Sequence, residues 1–121
     1  MAKYQTGKHL EAFILLYLAR QSGHGGAVLQ WLKEILPNDW VIDGGRVYRT
    51  LRDLEATGAL ASAWRTDAPS AAPVRVYAIT EDGYRRLNAW HEEISIRQAS
   101  LTRFLEGYDA WRSALCSGPC D

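Results

Sequence analysis

The feature that most constrains this chain is an apolar heptad repeat near its C-terminal end. Leu87, Ile94, Leu101, Tyr108 and Leu115 recur every seven residues, and Trp90, Phe104 and Trp111 each fall three places after one of them. Arg97 alone interrupts the second seam. Residues three and four apart lie on one face of a helix, so the spacing predicts a helix over about 81 to 115. That is some three times the mean helix length of about 11–12 residues. Thr80 is placed to cap it, and Glu81 and Asp82 fall in the first turn, where the helix dipole favours acids. A stripe this long extends past anything a 121-residue body can cover. The expected partner is the same helix of a second copy, with Leu87, Trp90, Ile94, Leu101, Phe104, Tyr108 and Trp111 at the interface. Packing against the first helix of the same chain is the plainer alternative, and both can hold at once.

The remainder reads as one small domain. The hydrophobic share, 47%, is ample for a core, and the mixed charges do not describe a disordered or basic tail. The longest apolar run, AFILLYLA at 12–19, is far short of a membrane span, and the start lacks the pattern of a secretory signal, so the expected compartment is the cytoplasm. From about Lys8 to Gln21, the residues Leu10, Phe13, Ile14, Tyr17 and Leu18 follow one helical face, and Leu15 and Leu16 widen it, predicting burial on more than one side. SGHGG breaks that helix. A second runs from about Gly26 to Leu36, with Val28, Trp31, Leu32 and Ile35 on one side, and Pro37 ends it.

DGGRVYRTLRDLEATG at 43–58 predicts a third helix, capped by Asp43 and closed by a left-handed Gly58. Val47, Leu51 and Leu54 form its buried stripe. Arg46 and Arg49 lie opposite and Arg52 at the edge, so the three arginines sweep an arc of about 120°. Two strands follow, LASAWR at 60–65 and VRVYAI at 74–79, joined by the loop TDAPSAAP. Charge alone does not name a partner. Residues 1–78 carry nine Lys plus Arg against seven Asp plus Glu, and 79–121 carry five against seven, so the total is zero.

Helix, helix, arginine-bearing helix, hairpin and long helix is the order of a winged helix-turn-helix with an added dimerisation helix, a mainly α fold with a small β-hairpin. GRVYRTLRDLEATGAL resembles the recognition-helix signature of PadR-type winged-helix transcriptional regulators, through Tyr48, Leu51, the Leu54-Glu55 pair and Gly58. YAITEDGYRRL resembles that family's passage from second wing strand into last helix, with Tyr77, Thr80, Gly83 and Leu87 in register. FILLYLARQSGHGG resembles its first helix and turn. The resemblance covers roughly residues 10 to 90. Two places depart from it: Gly26 stands where a tyrosine is usual, and Val74 replaces the first of the wing's two basic residues.

In helix-turn-helix docking the N-terminal half of the third helix enters the major groove. Arg46 and Arg49 are therefore the candidate groove contacts, Tyr48 and Thr50 candidate phosphate contacts through their hydroxyls, and Arg52 and Arg75 further DNA-binding candidates. The plain alternative is a solvated face with Arg49–Asp53 or Arg52–Glu55 pairs. Lys8 and Lys33 are lone lysines. The resemblance implies repressors released by a small, often aromatic effector, for which Trp31, Trp40 and Trp90 are candidate pocket residues, although core or interface packing accounts for each. Cys116 and Cys120 have neither the redox nor, within one chain, the zinc spacing, and His9, His24 and His91 add no ligand pattern, so no metal or other cofactor is expected. No enzyme motif is found: GHGGA follows no strand, and there is no H-E-x-x-H or G-x-S-x-G.

The expectation is a homodimeric, sequence-specific DNA-binding transcriptional regulator, a repressor, acting on a pseudo-palindromic operator in double-stranded DNA. Residues 1–80 are its DNA-binding domain and 81–121 its dimerisation helix and tail. The alternatives are a winged-helix protein-interaction module without DNA binding, favoured by the zero net charge and thinned wing, and a thiol- or metal-responsive sensor on the same fold.

Overall fold

The computed structural model describes residues 4–5, 9–37, 40–66 and 72–116. The chain divides into two compact units, Met1–Asn88 and Ala89–Asp121. In order, the elements are β1 (Tyr4–Gln5), α1 (Leu10–Arg20), β2 (Gly23–His24), α2 (Gly25–Ile35), β3 (Trp40–Val41), α3 (Gly44–Ala56), β4 (Leu60–Arg65), β5 (Val74–Ile79) and α4 (Glu81–Cys116). The architecture is a winged helix-turn-helix: three helices, a small antiparallel sheet and a long C-terminal helix.

In the first unit the periodic apolar residues of α1, α2 and α3 converge. Ile14, Leu15, Val28, Leu32, Val47, Leu51 and Leu54 are the largest fully buried side chains, each contributing about 1.5–3 kcal/mol by leaving water. The rings of Tyr17 and Trp31 pack with centroids 5.3 Å apart, closing the contact between α1 and α2. Two expectations are corrected here. Ala12 and Leu15 are buried beside the face of Leu10, Ile14, Tyr17 and Leu18, so α1 is covered on more than one side as expected, but Leu16 does not share in it and is 41% exposed. On α2, Ile35 is 45% exposed and Leu36, just past the helix end, is buried in its place. Leu36 falls four residues after Leu32 and eight after Val28, so it continues their buried row, with its N–H still bonded to the Leu32 carbonyl, whereas Ile35 points about 100° away.

Both ends of α3 form as their residues dictate. Asp43 Oδ1 accepts the Gly45 N–H at 2.9 Å, satisfying one of the donors a helix start leaves open. At the other end Gly58 has φ of 88°, and the Gly58 and Ala59 N–H groups donate to Glu55 and Leu54 at 3.1 and 2.9 Å. This is the Schellman arrangement, which requires a left-handed residue that glycine adopts without strain.

β4 and β5 pair antiparallel from Leu60↔Ile79 to Arg65↔Val74. The strands of the expected hairpin are present; most of its loop lies outside the described residues. The GH pair before α2, read from sequence only as a helix break, is β2, and it adds to β5 to give the order β2-β5-β4. β1 and β3 form a separate parallel pair. Thr80 joins the sheet to α4: its hydroxyl donates to the Gly58 carbonyl at 2.6 Å and accepts the Gly83 N–H at 3.1 Å. Arg86, in the second turn of α4, bonds Glu11 of α1 through two nitrogens and reaches the Thr57 hydroxyl at 3.2 Å.

The second unit continues α4 to Cys116 as a helix with an uncovered stripe. Trp90 and Ile94 are half-buried, whereas Leu101 is 64% and Phe104 67% exposed, and Tyr108, Trp111 and Leu115 are exposed as well. Phe104, Tyr108 and Trp111 form a ladder with centroid spacings of 6.5 and 5.5 Å. Arg97, the interruption in the seam, pairs with Glu93 one turn earlier. Cys116 is an exposed free thiol, and Cys120 lies outside the described residues.

Candidate nucleic-acid interface

Burying Val47, Leu51 and Leu54 forces the opposite side of α3 outward. Arg46, Arg49, Arg52 and Asp53 are all exposed on it. Neither of the pairs that a plain solvated face would make has formed, and among the described residues no carboxylate bonds to Arg46, Arg49 or Arg52. Three guanidinium groups are therefore presented by a rigid, capped helix, each with its donors available.

Tyr48 is held differently from the arginines. A Cβ on Gly25 would lie 2.2 Å from Tyr48 Cε1, so the ring rests directly on the backbone where α2 begins. Only glycine leaves room for it. The side chain is still 41% exposed, with its hydroxyl beside Gly26. His24 caps α2, its Nδ1 accepting the Ala27 N–H at 3.1 Å, a role that its lack of ligand spacing left unassigned. Thr50 donates its hydroxyl proton to the Arg46 carbonyl at 2.7 Å, so that donor is engaged within the helix. Lys33 is exposed in the last turn of α2; Lys8 lies outside the described residues.

Arg75 sits on the inner face of the hairpin. Alternation along β5 puts it on the side of Tyr77 and Ile79, toward α3 rather than away from the protein. Its Nη2 bonds Glu55 Oε1 at 2.7 Å and its Nε bonds the Ser62 hydroxyl at 2.8 Å, while that hydroxyl donates to Glu55 Oε2 at 2.6 Å. The guanidinium lies 5.8 and 5.7 Å from the Trp64 and Tyr77 ring centres. Glu55, which the solvated-face alternative would pair with Arg52, is thus taken by a residue twenty positions away. Among the described residues, the wing cation without a carboxylate partner is Arg65, exposed at the end of β4 opposite Val74. Sequence reasoning passed over it; its place at the distal end of a predicted strand was the available signal.

Between α3 and the hairpin runs a cleft of about 270 Å³, with Tyr48 and Arg52 on one wall, Trp64, Val74 and Arg75 on the other, and Gly25 and Gly26 at its base. Of the candidate effector residues, Trp31 is packed on Tyr17, Trp90 belongs to the second unit, and the side chain of Trp40 lies outside the described residues. Among the described residues no group of three or more His, Cys, Asp or Glu could hold a metal ion, and no described helix is long and apolar enough to cross a membrane.

Comparison with solved structures finds the same fold repeatedly. A PadR family transcription regulator from Clostridium difficile superposes with a TM-score of 0.71 at 18% identity, over 80% of this chain and 98% of that one. A PadR-like regulator from Bacillus cereus gives 0.71 at 15% identity, over 83% and 94%. PadR of Bacillus subtilis, solved in complex with operator DNA, gives 0.62 at 22% identity, over 69% of this chain and 47% of that one. At these identities the likeness establishes the fold. No curated protein matches the sequence. The model of the transcriptional regulator PadR-like family matches residues 14–89, which include α1 from Ile14 onward, all of α2 and α3, and the strands of the wing. Since that match takes in more than half of its residues, the chain belongs to the PadR-like family of transcriptional regulators.

Proposed function

We propose that the protein is a sequence-specific DNA-binding regulator, a repressor that acts as a cytoplasmic homodimer. The observation that carries this reading is that Arg46, Arg49 and Arg52 stand on the exposed side of α3 with no carboxylate partner among the described residues. Arg46 and Arg49, on the N-terminal half, contact the major groove, where an arginine fork onto guanine discriminates by about 1–3 kcal/mol. Arg52 and Arg65 meet phosphates to either side. Tyr48 positions the helix through its hydroxyl. Thr50 is a weaker contact because its proton is already given to Arg46. The operator-bound state of the Bacillus subtilis relative supports DNA as the partner.

In this reading residues 1–80 bind DNA, and α4 pairs with its copy along Leu87, Trp90, Ile94, Leu101, Phe104, Tyr108 and Trp111. The exposed stripe from Leu101 onward supports that pairing. Two recognition helices related by a dyad then read half-sites about one turn apart. A small effector releases DNA by favouring a dimer geometry with a different spacing between those helices.

Titration against duplexes selected from a random library, at several salt concentrations, tests the reading. The wild type is expected to select a pseudo-palindrome and bind with a steep negative log–log salt slope. Arg49→Ala is expected to lower affinity about tenfold, and Arg65→Ala to flatten the slope by about one unit. Selection of no sequence would overturn the proposal in favour of a protein-interaction module.

A further inference from the structure

We infer that Arg75 acts in DNA binding as a positioning residue, setting the angle of the wing to the recognition helix through Glu55 and Ser62 rather than gripping phosphate itself. The inference rests on the DNA-binding reading above. Its basis is a closed triangle of hydrogen bonds: each Glu55 oxygen accepts once, from Arg75 Nη2 and from the Ser62 hydroxyl, and that hydroxyl accepts from Arg75 Nε. Ser62 lies on β4, Arg75 on β5 and Glu55 on α3, so both arms of the hairpin are fastened to one carboxylate of the helix. Among the described residues no other side-chain hydrogen bond joins these arms to α3.

Three further facts oppose a direct phosphate contact. Arg75 and Glu55 are partly shielded, with side chains 39% and 27% exposed, so their bonds are stronger than those of a surface pair. The guanidinium is flanked by the Trp64 and Tyr77 rings, which add attraction that an outward swing would lose. Moving Arg75 outward would also leave Glu55 as an uncompensated negative charge facing the approaching DNA. Arg75 instead forms part of the wall of the cleft opposite Tyr48 and Arg52, so the triangle fixes the width of the gap that a DNA strand must pass between helix and wing. Wing charge is carried by Arg65, beyond the triangle.

The two readings of Arg75 give opposite signs when Glu55 is removed. Glu55→Ala, Arg75→Ala and the double variant are titrated against the duplex that the wild type selects, across a salt series. As a positioning residue, Arg75→Ala lowers affinity roughly 3- to 30-fold, Glu55→Ala lowers it similarly, and the double variant loses no more than either single change. The salt slope stays at the wild-type value because no phosphate contact has been deleted. Arg75→Lys, which restores one ion pair but not the fork, recovers part of the loss. An affinity gain in Glu55→Ala, or a slope flattened by about one unit in Arg75→Ala, overturns the inference, since each marks Arg75 as a phosphate contact. Amide hydrogen exchange without DNA gives an independent readout: both single variants are expected to raise exchange in residues 62–64 and 75–77, and unchanged exchange overturns the clamp. Should the wild type bind no duplex, the regulator reading fails, and exchange still decides whether Glu55 and Arg75 hold the wing.

Discussion

Gly83 and Gly107 lie in the same helix, and the same substitution at each is expected to have opposite effects. In the middle of a helix, glycine to alanine stabilises by about 0.5–1 kcal/mol through backbone entropy. Nothing lies within 4 Å of where a Cβ on Gly107 would be, so Gly107→Ala receives that gain. A Cβ on Gly83 would stand 2.2 Å from the Ala59 carbonyl oxygen and 2.5 Å from Ile79 Cγ1. Ordinary contact begins at 3.4 Å, so α4 must move by about 1 Å from a backbone carbonyl that has no flexible end to give way. That carbonyl also accepts the Thr80 N–H at 3.0 Å, a bond worth about 1 kcal/mol. Overpacking of about 1–3 kcal/mol and a weakened hydrogen bond together exceed the propensity gain, leaving a net loss of about 2 kcal/mol. For a chain of this size that lowers Tm by about 8 °C. Thermal and urea unfolding of the two variants at one protein concentration measures the difference. Gly83→Ala as stable as wild type would refute the reasoning, because it would mean that the first turn of α4 does not bear on the α3–β4 turn.

Two other outcomes are expected. Asp43→Ala removes the cap on the Gly45 N–H and is expected to cost about 1 kcal/mol in urea unfolding, while Asp43→Asn restores most of it. Phe104→Glu places a charge in the most exposed part of the stripe; sedimentation velocity is expected to show a dimer for the wild type and a monomer for the variant, and a variant that remains dimeric would put the interface elsewhere.

How much of this was legible in the sequence depends on the range of the forces involved. The caps and core of α3 were readable because they are local: Asp43 lies two residues from its partner, Gly58 two from the last helical residue, and Val47, Leu51 and Leu54 follow a period of 3.6. The second strand, 74–79, was likewise carried by the β-branched and aromatic residues of VRVYAI, and the first, 60–65, by its place between Gly58 and the proline-bearing loop. What escaped was long-range. β2 has two residues, too few for any periodicity, and exists because β5 offers Val76 and Tyr77 as partners. Glu55 was matched to Arg52 by helical spacing, but the register of the hairpin brings Arg75 closer, and that register is a property of three elements together. Even so, half of the Arg75 assignment was in reach, since the alternation of VRVYAI sets Arg75 on the side of Tyr77, the most buried residue of its strand.

The zero net charge, which argued against DNA in the sequence, loses its force once the ion pairs are known. Electrostatic attraction to DNA at physiological salt is felt over a Debye length of about 8 Å, so the relevant quantity is the unpaired charge on one surface. Pairing removes acids and bases together within the first unit: Glu55 with Arg75, Glu11 with Arg86, Glu81 and Asp82 with Arg85. Asp43, the acid nearest the start of α3, has an oxygen turned onto the helix's own N–H groups. Among the described residues of α3 and the hairpin, Arg46, Arg49, Arg52 and Arg65 are left without a carboxylate partner, against Asp53 alone. A surface of this kind combines a neutral distant field with a local positive one. Binding is then expected to fall steeply with salt at the cognate site, while weak non-specific attraction leaves discrimination to the fit of α3 in the groove, the fit that the proposed Arg75–Glu55 clamp would control.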